Sequence, residues 1–252
     1  MVDATVRGAE HGAEIELRPG GAAFNTAAWA VELGAAATVV ARVGDDFAGR
    51  ALAGALARAG IEAELTVDPS ARTGTFAVVD GMLRVDRGAN AGAWEPRALP
   101  AADATFVSGY LAPETVSRVV ARIRAPVLAV GAGRLAQVPA KAGIVLANAD
   151  EARSLTGEAD PAEAARQLAA AVRIACVTLG AEGAVAADGC GVVRARPPGR
   201  HPEPARGAGD AFAAAFVLAL AGGASVAEAL DAGCALGARS AAAHSPSPGF
   251  AM

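Results

Sequence analysis

The sequence is poor in lysine and has little charge of either sign. Of its 22 basic residues only Lys141 is a lysine, charged residues make up 19% of the chain, and the net charge is −4. Such a chain gives no reason to expect a nucleic acid or an anionic membrane as its partner, whereas a small neutral or anionic ligand suits it. The 53% of hydrophobic residues is too high for a disordered chain.

Cysteine is scarce, and a signal sequence and long apolar runs are lacking. Cys176, Cys190 and Cys234 lie far apart with no CxxC pair, which argues against a disulfide framework and a zinc site. The uncharged run 211–225 is shorter than the roughly 20 residues of a membrane-spanning helix. The stretch 1–12 contains acidic residues and no apolar core, unlike a signal peptide. These absences predict a soluble protein of the reducing cytoplasm.

Several catalytic motifs are absent as well. The chain contains no GxxxxGK[ST], no GxSxG and neither HRD nor DFG, which excludes a lysine-bearing P-loop, an α/β-hydrolase elbow and a protein kinase. One rival remains, because the strand-like run 127–130 leads into Gly131-Ala132-Gly133, as in a dinucleotide-binding unit. The helix that would follow is short and is broken by Pro139, so this signal is weak.

What the chain does contain is an alternation of apolar, β-prone runs with alanine-rich helical stretches. Runs that are apolar throughout suit strands covered on both faces, as in a parallel sheet with crossover helices. The strand-like runs are 37–44, 104–111, 126–130, 143–148 and 174–180, and the helical stretches are 45–60, 113–125, 149–157 and 160–172. We therefore predict a three-layer α/β/α sandwich with a mainly parallel, doubly wound sheet, forming a single domain over 1–252.

Two segments have a different pattern. Residues 13–19 and 73–87 alternate apolar with polar side chains, and Asp80-Gly81 stands between two strand-like halves of the second segment. Alternation of this kind around an Asp-Gly pair is typical of a β-hairpin. We expect a small antiparallel flap, an excursion from the single domain.

The stretch RGAGDAFAAAF, residues 206–216, has two interpretations. Gly207 and Gly209 could form a tight turn, with Asp210 capping a buried helix. Alternatively, the glycines bare backbone N–H groups at a helix N-terminus, where they hold an anion beside Asp210 acting as a base. These residues alone do not decide between the two.

Three further stretches are ambiguous in the same way. Each places glycines or polar side chains at a helix start or a strand end, where they serve either to cap a helix or to bind a ligand. These stretches are Gly20-Gly21 with Asn25, Asn148 with Glu151, and Thr178 with Gly180 and Gly183.

Taken together and in order, the motifs GG, N, G, G, GDDxxG, TG, GAN, SGY, NADE, TLGxxG and GAGD run from residue 20 to residue 210. This series resembles the ribokinase-like (PfkB) family of carbohydrate kinases over nearly the whole chain. The resemblance implies ATP-dependent transfer of the γ-phosphoryl group to a hydroxymethyl group of a sugar or a sugar-like polyol. It also implies that Mg²⁺ is a cofactor and that the flap closes as a lid. A homodimer formed through that lid is compatible with it.

The resemblance also assigns roles to residues. Asp210 would be the general base, and the backbone of Gly207, Ala208 and Gly209 would be the anion hole. Asn148 and Glu151 would lie near Mg²⁺, with Glu151 acting through water. The residues around the nucleotide would be Asn148, Thr178, Gly180 and Gly183. Those on the sugar side would be Gly20, Gly21, Asn25 and Asn90.

The chain departs from the family pattern at three places. Asp3 matches the sugar-binding Asp that follows the family's first central strand, yet that strand is absent, so we expect a truncated chain or a start placed too far downstream. Gly131-Ala132 stand where relatives commonly have Asp-Pro. Pro204-Ala205-Arg206 stand where the family usually has Asp-Thr and one more residue before the anion hole. In the family that Asp helps to hold a monovalent cation. A monovalent cation would then rely on backbone carbonyls, unless the Arg206 guanidinium replaces its charge; the alternative is a solvated arginine.

Two functional alternatives follow from these departures. The missing strand and the missing Asp favour a weakened relative that binds a sugar or a nucleotide without turnover, whereas the intact GAGD favours an active sugar kinase. A nucleoside kinase is the near alternative within the active class. It would need aromatic stacking surfaces in the flap, and Phe76 is the aromatic residue available there.

Overall fold

The computed structural model describes residues 1–7, 12–79, 82–199, 206–243 and 246–248. The chain divides into two compact units, a first unit of Met1–Ala98 with Ser247–Met252 and a second unit of Leu99–Pro246. No helix within the described residues is long and apolar enough to cross a membrane.

The first unit contains a four-stranded sheet, in the order β2-β1-β5-β6, and a separate parallel pair of strands, β3 and β4. We call the four-stranded sheet the lid sheet. The elements are β1 (Val2–Arg7), β2 (Glu14–Pro19), α1 (Ala22–Glu32), β3 (Thr38–Gly44), α2 (Phe47–Arg58), β4 (Glu62–Asp68), β5 (Thr75–Val79) and β6 (Met82–Asp86).

The two segments predicted for the flap do form strands of the lid sheet. Segment 13–19 becomes β2, and segment 73–87 becomes the antiparallel pair β5 and β6, while the predicted turn at Asp80-Gly81 lies outside the described residues. The lid sheet also contains β1, which includes Asp3 and was not among the predicted strands. Its apolar residues alternate with polar ones, as a strand requires, and it pairs antiparallel with β2 and parallel with β5.

Two of the family motifs, GDDxxG and TG, hold the first unit together. The Asp46 carboxylate caps α2 by accepting from the Gly49 N–H at 2.8 Å, and it also accepts from the hydroxyl and the N–H of Thr73, each at 2.7 Å. The Thr73 hydroxyl in turn accepts from the Gly44 N–H at 2.9 Å. Burial raises the pKa of Asp46, but the hydrogen bonds from Thr73 and Gly49 outweigh it and leave this pKa below its usual value.

The second unit is built on a six-stranded sheet in the order β12-β11-β10-β9-β8-β7, in which β7 to β10 are parallel and β11 and β12 are antiparallel. Its elements are β7 (Ala104–Val107), α3 (Pro113–Arg122), β8 (Val127–Gly131), β9 (Ile144–Asn148), α4 (Ala149–Thr156), α5 (Pro161–Ala169), β10 (Ile174–Thr178), β11 (Ala184–Asp188), β12 (Gly191–Ala195), α6 (Ala208–Ala221) and α7 (Val226–Ala242).

Successive residues of the central strands are buried on opposite faces of this sheet. On β9, Val145 belongs to the core that includes α3 and α5, whereas Ile144 belongs to the core that includes α6 and α7. Helices therefore cover both faces, which is why these strands are apolar up to their last residues. The three-layer α/β/α sandwich with a mainly parallel sheet is confirmed.

The dinucleotide-binding alternative required a helix after Gly131-Ala132-Gly133. Residues 132–143 form turns and extended backbone that lead directly from β8 to β9, without a helix. A dinucleotide-binding unit places the pyrophosphate on the N-terminus of such a helix, so this alternative is wrong.

Candidate active site

Two predicted nucleotide-side residues end neighbouring parallel strands. Asn148 is the last residue of β9 and Thr178 the last residue of β10, and the two are directly opposite each other in the register. The Thr178 hydroxyl donates to the Ala147 carbonyl at 3.3 Å. Ligands of open α/β sheets bind outside the carboxyl ends of the strands, so both side chains lie where a ligand is expected.

Asn148 and Glu151 form a capping box at the start of α4. The Asn148 side chain accepts from the Glu151 N–H at 2.9 Å, and Glu151 Oε2 accepts from the Asn148 N–H at 3.1 Å. The other carboxylate oxygen, Oε1, accepts from the Tyr110 hydroxyl at 2.7 Å. A carboxylate has about four lone-pair sites, so this network fixes the group and leaves it capacity for further donors.

The loop after β10 turns through two glycines with positive φ. Gly180 has φ +59° and Gly183 φ +100°, the Leu179 N–H donates to the Gly183 carbonyl at 2.7 Å, and a side chain at Gly183 would overlap the Ala195 carbonyl oxygen. A cavity of about 440 Å³ lies between this loop and the end of β12, and Arg194 and Arg196 line it.

The N-terminus of α6 exposes its backbone. Gly207 takes the N-cap position with φ +80° and no side chain caps the helix, whose first bond runs from the Ala211 N–H to the Gly207 carbonyl. The N–H groups of the first turn, Ala208 and Gly209 among them, have no acceptor within a helix. Gly209 is exposed, and an added Cβ there would meet nothing within 4 Å. This end of α6 carries the positive end of the helix dipole.

Packing holds this helix start in place. A side chain at Gly207 would overlap the backbone of Pro246, and one at Gly237 on α7 would come within 3.2 Å of the Ala208 carbonyl oxygen. One turn further on, Phe212 is buried and stacks on Phe216 with ring centroids 5.6 Å apart. Asp210 is half-buried in the first turn, and Arg206, just before the helix, is exposed.

Most of the residues assigned to the sugar side come together in the first unit. Gly20 lies so close to Asp3 that an added Cβ would overlap the Asp3 carboxylate. Gly21, with φ +89°, is the N-cap of α1, and Asn25 is buried in the first turns of the same helix. Asn90 lies elsewhere in this unit, where its amide nitrogen donates to the Arg42 carbonyl at 2.9 Å.

The family follows from comparison with known proteins. The family profile described as pfkB family carbohydrate kinase matches residues 2–249. The chain belongs to this family. It is therefore a kinase of the carbohydrate kinase type, and the family resemblance inferred from the ordered motifs is confirmed.

Relatives of this pfkB kinase include the bifunctional protein HldE of Caulobacter vibrioides, which is 35% identical over 243 residues, covering 83% of this chain and 49% of the relative. The chain thus spans about half the length of that relative. In fold, it resembles a ribokinase from Thermotoga maritima (20% identity, TM-score 0.81, 98% of this chain and 93% of the other). It also resembles aminoimidazole riboside kinase from Salmonella enterica in complex with aminoimidazole riboside and an ATP analog (21% identity, TM-score 0.79, 97% of this chain and 92% of the other).

The residues of this pfkB kinase are suited to a magnesium ion carried by a nucleotide. Within the described ranges no group of three or more His, Cys, Asp or Glu residues could hold a metal ion by itself. Mg²⁺ usually keeps several waters and is bound by one or two carboxylates together with substrate phosphates. The fixed carboxylate of Glu151, in the first turn of α4 after β9, fits that need.

Two features of this site were not predicted from the sequence. One is the Tyr110 hydroxyl on Glu151, and the other is the pair of arginines, Arg194 and Arg196, beside the glycine loop. The SGY motif contains Tyr110, but nothing in the sequence connects it to a carboxylate 41 residues later. The arginines carry no local signal, because arginine is abundant throughout the chain.

Proposed function

We propose that this pfkB kinase transfers the γ-phosphoryl group of ATP to a hydroxymethyl group of a sugar or a sugar-like polyol. The observation that carries the proposal is the start of α6, where Gly209 is exposed and an added Cβ would meet no described atom within 4 Å. Glycine costs up to about 1 kcal/mol relative to alanine within a helix, and no described neighbour requires it at this position. A ligand that approaches the backbone closely would explain why glycine occupies this position.

The anion hole of this mechanism is the backbone N–H groups of Gly207, Ala208 and Gly209. They lie at the positive end of α6 and would donate to the oxygens of the transferring phosphoryl group. Phosphoryl transfer is accelerated chiefly by positioning and electrostatic stabilisation, so backbone donors serve here without a P-loop lysine. The packing of Gly207 against Pro246 and of α7 against Ala208 keeps these donors oriented before the reaction.

Asp210 is the proposed general base. This proposal is supported by its position in the first turn of α6, one residue after Gly209. It would accept the proton of the attacking sugar hydroxyl as the new phosphate ester bond forms and ADP leaves. Proton acceptance by a positioned carboxylate contributes about 10²- to 10⁴-fold to rate.

Glu151 and Asn148 would face the magnesium ion that accompanies the nucleotide. Mg²⁺ bound to ATP neutralises charge on the phosphates. Glu151 would accept hydrogen bonds from water molecules of that ion, since its carboxylate keeps acceptor capacity beyond the capping box. The loop with Thr178, Gly180 and Gly183 would pass alongside the nucleotide, and the 440 Å³ cavity next to it has the size of a small-molecule site.

Asp3, Gly20, Gly21 and Asn25 would hold the sugar. Asn90, the other residue assigned to the sugar, lies elsewhere in the same unit. Carboxylate and amide groups pair with hydroxyl groups as acceptors and donors, and the missing side chain of Gly20 makes room for the Asp3 carboxylate. A nucleoside is the second candidate substrate, because Phe76 lies directly opposite Asp3 in the register of β1 and β5. This places an aromatic ring on the same face of the lid sheet as the sugar-binding carboxylate.

Asp210→Asn is the direct test. The parent and the variant are assayed for ADP release with sugars, sugar acids and nucleosides, and for ATP binding by calorimetry. We expect turnover to fall by about 10²- to 10⁴-fold while ATP affinity stays nearly unchanged, because the anion hole is backbone. Asp231→Asn, at an exposed position of α7, is the matched control and should behave as the parent. Full turnover in Asp210→Asn would refute the assignment.

A further inference from the structure

The single tyrosine of the chain contacts the carboxylate proposed to face magnesium. Tyr110 follows β7, and its hydroxyl donates to Glu151 Oε1 at 2.7 Å. The second oxygen, Oε2, accepts from the Asn148 N–H at 3.1 Å. Both oxygens of the carboxylate are therefore oriented by donors from different elements of the second unit, one from the loop after β7 and one from the end of β9.

The loop that carries Tyr110 is itself fixed by close backbone packing. Gly109 is buried against the end of β8, where a side chain on it would overlap the Gly131 carbonyl oxygen. The Arg134 N–H donates to the Gly109 carbonyl at 3.0 Å, and the Tyr110 N–H donates to the Ser108 hydroxyl at 3.3 Å. The phenol thus approaches Glu151 from a rigid support, across the carboxyl ends of β8 and β9.

The fold does not require this contact. Tyr110 is 47% exposed, so water could satisfy its hydroxyl, and the capping box alone suffices to begin α4. What the phenol adds is a fixed orientation of the Glu151 carboxylate about its terminal bond. Hydrogen-bond partners that contact a metal-binding side chain, but not the metal itself, orient that side chain toward the metal.

We propose that Tyr110 is a positioning residue for Glu151. Its hydroxyl holds the carboxylate in the orientation in which it meets the water shell of nucleotide-bound Mg²⁺. This inference rests on the proposed function, because Glu151 needs a fixed orientation only if Mg²⁺ and a nucleotide bind at these strand ends.

The first test is Tyr110→Phe, which removes the hydroxyl and keeps the ring. The Mg²⁺ concentration for half-maximal turnover should rise roughly tenfold, the lower end of the effect of outer-shell partners, while the KM for the phosphoryl acceptor and the unfolding temperature stay unchanged. The control is Ser154→Ala, which removes an exposed hydroxyl from α4 and should alter neither. An unchanged Mg²⁺ dependence in Tyr110→Phe would overturn the inference.

A second readout does not depend on turnover. Because Tyr110 is the only tyrosine, incorporation of 3-fluorotyrosine gives a single ¹⁹F resonance. That resonance should shift when Mg²⁺ is added to the ADP complex, both in the parent and in the inactive Asp210→Asn, and Glu151→Ala should abolish the response. If Mg·ADP binds the parent and the resonance does not respond to Mg²⁺, the inference is overturned alone. If calorimetry detects no Mg·ADP binding to the parent, the proposed function is overturned and the inference with it.

Discussion

Replacement of Gly209 by alanine should separate the stability of this kinase from its activity. Gly209 is the second residue of α6, its φ is not positive, and an added Cβ meets no described atom within 4 Å. The methyl group therefore meets no steric hindrance from the described residues. It occupies the space from which a phosphate would approach the backbone donors.

The expected magnitudes have opposite signs. Alanine in place of a helical glycine stabilises by about 0.5–1 kcal/mol, and 1 kcal/mol corresponds to roughly 2–4 °C in unfolding temperature for a chain of this size, so the variant should melt about 1–4 °C higher. Loss of one donor of an anion hole costs about 10²- to 10³-fold in rate. A methyl group that pushes the phosphoryl group away from these donors should cost at least as much.

The assay pairs thermal unfolding with turnover, measured as ADP release. The matched control is Gly54→Ala in α2, where the new Cβ would meet only the end of the flexible Arg58 side chain, at 3.3 Å. The control should gain similar stability at unchanged turnover. Full turnover in Gly209→Ala would refute the anion hole, and a loss of stability together with turnover would show that the glycine serves packing instead.

Two further predictions concern the first unit. Asp46→Asn should lower the unfolding temperature at pH 7 and make it less dependent on pH in acid. The folded-state pKa of Asp46 is lowered, so the carboxylate stabilises the fold above its unfolded pKa of about 3.9 and loses this effect as the pH falls below that value. Equal acid profiles of the parent and the variant would contradict the Thr73 network. We also propose a homodimer through the lid sheet, because the register places the exposed residues Ile15, Leu17, Val79 and Met82 on one face. Leu17→Asp should then reduce the mass measured by light scattering to that of one chain, and a parent of 24.7 kDa would contradict the dimer.

The parallel strands of the second unit, β7 to β10, could be predicted because each is short, largely apolar and bounded by turn residues. The antiparallel strands β11 and β12 were not predicted. Burial on both faces gives that pattern directly, as at Ile144 and Val145 on β9. Helix starts could also be predicted where a capping residue precedes an alanine-rich run, as Asp160 does before α5 and Asp46 does before α2. In these elements the local signal and the tertiary environment favour the same structure.

The rest depended on contacts that local patterns do not specify. The first strand, β1, alternates as a strand should, but its partners in the lid sheet are set by pairing with β2 and with β5, some 70 residues away in sequence. We also missed α7, although Ser225 and Glu228 form a capping box before it, a signal that the sequence does contain. The contact of Tyr110 with Glu151 joins loops after two strands that are not adjacent in the sheet, and only the sheet order brings them together.

The tripeptide Gly-Ala-Gly occurs twice at strand or helix ends, and the two copies illustrate what the sequence leaves open. In Gly131-Ala132-Gly133 the last glycine has φ +52°, and a side chain there would come within 2.5 Å of the Gly109 carbonyl carbon. Neighbouring backbone explains that copy without any ligand. In Gly207-Ala208-Gly209 packing explains the first glycine through Pro246, but it does not explain Gly209, which has open space around it. The same three letters therefore serve packing at β8 and, on our proposal, phosphate binding at α6, because only the second copy has a glycine that no contact with the described residues explains.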